Sequence, residues 1–266
     1  MNSPKRLARI AGLLYLLVAI FGGFAQGFVY PKMYAAGDAA TTAGNVVANA
    51  GLVRIGVVAD LVQATVFVFL AITLYRLLKH VHSSAALAMV VLVAIATSIT
   101  CLNAGFAFEG LQAATDKSYS DAVGTGGSNA LVLLLFAIQH YGILIAQIFF
   151  GLWLVALGYL ACTSGLFPKA LGVVLIVGGV CLFLDMLAQF LVPDFGQKVS
   201  TFGMSSQHNV GGLPSAIAEV WMVGYLLVKG VKTPTQGSPA VGTGTQPSAR
   251  AAHRASDSAP TDSSVR

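Results

Sequence analysis

Six stretches of this chain stay apolar over about the 20 residues that a helix needs to cross a bilayer, or longer. They cover residues 7–29, 52–75, 85–108, 130–162, 167–192 and 213–231. In hydrocarbon every backbone N–H and C=O must find a partner within the protein, and stretches of this length meet that demand as α-helices. The expectation is an all-α membrane protein with six transmembrane helices over residues 1–232. Residues 233–266 are rich in Ser, Thr, Gly, Pro and Ala without an apolar period, and are expected to form a disordered tail. With 56% hydrophobic residues, 9% charged residues and a mean hydropathy of +0.78, the chain has too little polar surface to enclose a water-soluble core.

Lys5, Arg6 and Arg9 precede the first stretch. An apolar run from Ile10 almost to Val29 exceeds the roughly 7 to 15 residues of a signal-peptide core, so an uncleaved helix is expected. Six crossings put both termini on one side. Lys5, Arg6, Arg9, Arg76, Lys79, Lys169, Lys229 and Lys232 flank that side, against Lys32, Arg54, Lys117 and Lys198 on the other. An excess of Lys and Arg marks the cytoplasmic face, so both termini are read as cytoplasmic. Short loops without a retention or lipidation signal point to a plasma membrane, the inner membrane of a bacterium. The net charge of +5 is spread beside the apolar stretches rather than along one soluble face, which excludes nucleic acid and makes the lipid bilayer the expected partner. Protein partners are not readable. Cys101, Cys162 and Cys181 lie in or beside apolar stretches without CxxC spacing and read as core residues.

Between the stretches, Tyr30 to Gly51 is a polar, alanine-rich connection with room for a short surface helix. Glu109 to Asn129 reads as a solvated loop, and Asp194 to Gly212 as an outer loop containing His208 and Asn209. The fourth stretch is too long for one perpendicular crossing and must tilt, protrude or bend, with Gln139, His140 and Gly142 marking where. Pro168 stands where the fifth helix begins.

Polar residues inside the stretches carry the functional signal, because an intramembrane charge is costly unless paired or hydrated. Arg54, Asp60 and Gln63 occupy the first third of the second stretch, and Asp60 and Gln63 are spaced to share a helix face. With the orientation above, Asp60, Asn103, Asp185 and Glu219 lie roughly 8 to 12 Å below the outer surface of a hydrocarbon core about 30 Å thick. Gln26, Gln63, Gln189 and His140 fall in the same outer half, whereas the inner halves are almost wholly apolar. The pattern predicts one polar cavity opening outward, with Asp60, His140, Asp185 and Glu219 as ligand- or ion-binding candidates. Arg54, Gln63, Asn103 and Gln189 would support them. The competing reading makes the carboxyls interhelical packing groups, His140 a core histidine, and Arg54 either a snorkelling side chain or a partner of Asp60 or Glu109.

Binding or passage of a small cationic or protonatable solute, the proton included, fits these groups best. An intramembrane enzyme with metal-activated water is an alternative, yet zinc sites usually draw two or three His or Cys ligands and only His140 is intramembrane. No metal, cofactor or catalytic residue is therefore assigned. A membrane sensor or assembly partner is the third reading. Phosphate loops, dinucleotide fingerprints and a GxSxG elbow are missing, and the four spans bearing the acidic and His residues show no convincing inverted repeat.

The opening KRLARIAGLLYLL, the run LVRIGVVADL with LYRLLKHV at its end, SGLFPKALGVVL and PSAIAEVWMVGYLLVKGVK follow one another in an order and spacing that resembles a known group. They are similar to the bacterial multi-pass membrane proteins grouped as domain of unknown function 4386, over about Lys5 to Lys232. The resemblance implies an all-helical multi-pass protein of unassigned activity. It places Arg54, Asp60, Pro168 and Glu219 in the matching motifs and names no catalytic residue.

Overall fold

The computed structural model describes residues 4–192 and 212–231, and the regular structure among them is helical throughout. Helix α1 (Pro4–Phe24) runs into a π-turn (Ala25–Val29) and a 3-10 turn (Tyr30–Lys32). Pro31 has no N–H to continue the α ladder, and the wider turn before it closes with Tyr30 N–H donating to the Ala25 carbonyl. A short surface helix, α2 (Ala39–Ala48), follows, and α3 (Ala50–Leu78), α4 (Ser83–Thr115), α5 (Lys117–Thr163), α6 (Lys169–Leu191) and α7 (Gly212–Val228) are the other helices among the described residues. Among the described residues, five helices are long and apolar enough to cross a membrane: α1 with its terminal turns, α3, α4, α5 and α6. Such a set makes this a multi-pass membrane protein. Large apolar side chains such as Ile55, Val58, Phe69 and Leu102 stand exposed on α3 and α4, as lipid-facing surface requires. The sixth apolar stretch forms the shorter α7, of 17 residues. The expected tail and most of the Asp194 to Gly212 loop lie outside the described residues.

The expected loop from Glu109 to Asn129 is a correction. The helices α4 and α5 meet at Asp116, which ends one and caps the other, its carboxylate accepting from the Ser118 N–H at 2.9 Å. Only Gly124, at φ 75°, interrupts the helical backbone there. Tertiary contacts override the loop-like composition: the Ser128 hydroxyl donates to the Ala113 carbonyl at 2.7 Å, and the Phe136 ring fills the space left by Gly110. At about 1.5 Å per residue the 33-residue α4 measures about 50 Å, so the hairpin extends well beyond a hydrocarbon core of about 30 Å. The fourth stretch does not bend at Gln139 to Gly142. Helix α5 is continuous there, and Gly142 instead admits the Asn103 amide from α4 against its backbone.

Asp38 caps α2 by accepting from the Thr41 N–H at 2.9 Å and the Thr41 hydroxyl at 2.7 Å, and these bonds hold its carboxyl below the usual range. A folded pKa lowered in this way stabilises α2 above the unfolded value and loses that contribution as pH falls through the folded one. Hydrogen exchange over residues 39–48 is expected to lose protection on acidification, relative to an Asp38→Asn variant whose cap does not titrate.

Two apolar clusters form the interior. The larger joins Tyr15, Phe67, Leu74, Met89, Trp153 and Leu175 with their neighbours, and the smaller joins Val29, Met33, Val46, Val57, Leu111 and Phe136 beneath α2. On α3, α4 and α5 the buried polar residues Asp60, Gln63, Thr97, Thr100, Asn103, Gln139 and Gln147 lie between the stretches that feed the two clusters.

Candidate functional site

The interior polar groups form two linked features. The first centres on Asp60, fully buried on α3. The Gln26 Nε2 group, on the π-turn of α1, donates to both carboxylate oxygens at 3.0 and 3.2 Å. The Gln139 Nε2 group on α5 then donates to Gln26 Oε1 at 3.4 Å, so three helices are joined by one amide-to-carboxylate chain. The Tyr30 ring lies against the same carboxylate, its buried hydroxyl without a closed hydrogen bond. Gln26 lies within the π segment, whose wider turn changes the directions of its side chains from those of a regular α-helix, so the local winding helps to decide what Gln26 meets.

The second feature is a cavity of about 530 Å³ between α1, α3, α5, α6 and α7. Gln26, Gln63, Gln147 and Glu219 line it together with the aromatic side chains of Phe67, Phe150 and Trp153. Phe67 stands edge-on to Trp153 at 5.1 Å between centroids and stacks on Phe150 at 5.8 Å. The Tyr15 ring stands edge-on to Trp153 at 6.0 Å, and its hydroxyl faces the Glu219 carboxylate without closing a hydrogen bond. Gln147 Oε1 is likewise buried and unpaired. Gln63 packs its amide against Gly22, where a side chain would collide with it. The cavity is thus mostly apolar and aromatic, with amides and a single carboxylate converging on it, the usual make-up of a small-molecule site. Gln26 belongs to both features, since its amide holds Asp60 and its side chain forms part of the cavity wall.

The four candidate residues do not share one lining. Glu219 borders the cavity, and Asp60 reaches it only through Gln26. His140 lies in an outer aromatic cluster, stacked on Tyr34 at 5.1 Å and edge-on to Tyr141 at 5.3 Å, with Tyr141 beside Phe190. Burial there, followed by the neighbouring Tyr141, raises the Tyr34 phenol above its ordinary value. Asp185 is buried on α6 and accepts from Gln189 Nε2 at 2.8 Å. Among the supporting residues Gln63 lines the cavity and Asn103 is buried against Gly142 with its Nδ2 unpaired, while Arg54 is exposed on α3. Arg54 therefore does not neutralise Asp60, whose polar neighbours are Gln26 and Tyr30.

Phe67, Phe150 and Trp153 stand in apolar stretches where nothing in the sequence sets them apart from other aromatic residues. Gln26 had a signal, standing at the end of the small-residue stripe Gly12, Ala19 and Gly22 on α1. For a metal, no group of three or more His, Cys, Asp or Glu side chains clusters among the described residues. Residues 10–230 match the family model described as Domain of unknown function (DUF4386). No curated protein and no solved structure matches the chain.

Proposed function

The chain belongs to the DUF4386 family, and from that premise we propose a membrane protein of six crossings, α7 completing the set, that binds or passes a small cationic or protonatable solute. Residues 1–232 make the crossings, both termini are cytoplasmic, and the membrane is a bacterial plasma membrane. Glu219 supplies the counter-charge to the solute, and Asp60 sets the state of Gln26 in the cavity wall. The observation that carries this reading is that Glu219 is the only acidic or basic side chain among the described lining residues, with aromatic faces beside it. A carboxylate next to aromatic rings is the environment that favours an ammonium group. Support for the cytoplasmic assignment comes from the Lys and Arg tally.

Benzylammonium titrated into the purified protein in micelles is expected to change the Trp fluorescence saturably. Glu219→Gln is expected to weaken that binding by at least about ten-fold while thermal unfolding stays cooperative. Equal affinity in the variant would show that Glu219 is only a packing group.

A further inference from the structure

We infer that the cavity is entered from the bilayer, between α1 and α7, and that its ligand is a lipid-soluble amine whose ammonium meets Glu219 while its chain remains in the acyl region; this rests on the counter-charge reading above. The lining divides into two kinds of residue. Phe67, Gln63, Trp153 and Leu182 are buried and form the floor. Leu16, Ala19 and Gly23 on α1, and Ala216 and Val220 on α7, line the same cavity yet are exposed on the outside of the bundle. A residue that is both wall and outer surface marks a mouth. These positions lie within apolar helices, so the surface they open onto is the one that faces lipid.

The mouth follows from how the two helices meet. Near the amino end of α1 they are in close contact, because Gly12 leaves no room for a side chain against Leu226 and Leu227, and Gly230 lies beside Lys5. At Gly23 nothing among the described residues lies within 4 Å of where a side chain would begin. Helices α1 and α7 therefore pack tightly at one end and part toward the other. A cavity of about 530 Å³ accommodates a compact headgroup, and the lateral opening lets a longer chain leave it. Ligands drawn from the membrane arrive already concentrated, since each buried methylene favours partitioning about four-fold.

The test uses the full chain with Trp221→Phe, reconstituted in phosphatidylcholine vesicles, so that the remaining Trp153 reports from the cavity floor. Two nitroxide quenchers are compared, water-soluble 4-amino-TEMPO and its N-dodecyl derivative. The N-dodecyl amine is expected to quench Trp153 saturably at a membrane mole fraction at which its own effect on Glu219→Gln is at least about ten-fold weaker. The double variant Ala19→Phe/Ala216→Phe, which fills the mouth, is expected to slow the onset of quenching by the N-dodecyl amine about ten-fold. Glu219-dependent quenching by 4-amino-TEMPO that matches or exceeds that of the N-dodecyl amine, with kinetics unaffected by the double variant, would overturn lateral entry and leave the counter-charge role standing. Quenching by neither amine that depends on Glu219 would remove both.

Discussion

Gly158→Leu is expected to destabilise the bundle by about 3 kcal/mol, the upper end for overpacking. Helices α5 and α6 approach each other backbone to backbone through two glycine pairs. A side chain begun at Gly158 would lie 2.6 Å from the Gly172 carbonyl oxygen, and one begun at Gly151 would lie 2.7 Å from that of Gly179. The order of the pairs is reversed along the two chains, as antiparallel helices require, and their equal spacing of two turns keeps both on one face. Small residues serve this purpose in membranes, where helices gain little from hiding apolar side chains that lipid would solvate equally well. Because the obstructing atoms are backbone carbonyls, rotamer changes cannot relieve the collision. Thermal unfolding followed by circular dichroism in micelles measures the loss. Gly224→Leu, at a position with nothing within 4 Å, is the control and should leave the midpoint nearly unchanged.

Asp60→Leu is expected to cost about 2 kcal/mol, chiefly because Gln26 loses the acceptor for its Nε2 group in a buried site. The residue is fully enclosed and its two oxygens are held by one amide, so the replacement removes the end of a hydrogen-bond chain rather than a surface charge. Adding Gln26→Leu removes the stranded donor, and the double variant is expected to recover about 1 kcal/mol. Midpoints for the two single variants, the double variant and the native protein form a double-mutant cycle. Additive effects would mean that the contact between Gln26 and Asp60 contributes nothing to stability. Asp60→Asn retains an oxygen acceptor and should fall between the native protein and Asp60→Leu.

The long helices were readable because hydrocarbon permits few alternatives for a backbone, and the apolar stretches at 52–75 and 85–108 stand within α3 and α4. Their true ends were not readable from hydropathy. Residues 109–115 and 117–129 are polar enough for water, yet Phe136, Gly110 and the Ser128 hydroxyl hold them as a helical hairpin above the hydrocarbon. For the interior, sequence spacing could group polar residues by face and depth, but could not pair them. Whether Asp60 meets Gln26 depends on the rotation of α1 against α3, which a π-turn of five residues alters locally, while Arg54 projects from another side of the same helix as Asp60. His140 and Gln139 are adjacent in sequence yet face different surroundings, one an outer aromatic cluster and the other the Asp60 chain.

The polar residues between the two apolar clusters have a mechanical consequence. Interlocked hydrocarbon side chains resist sliding, because each must leave its socket before the next can fill it. Amides and carboxylates can exchange partners across a small displacement while remaining satisfied, and Gln26, Gln63, Gln139 and Gln147 offer a row of such groups beside an existing void. A displacement at the level of Asp60 would therefore exchange amide partners, whereas one within either apolar cluster would have to unseat interlocked side chains.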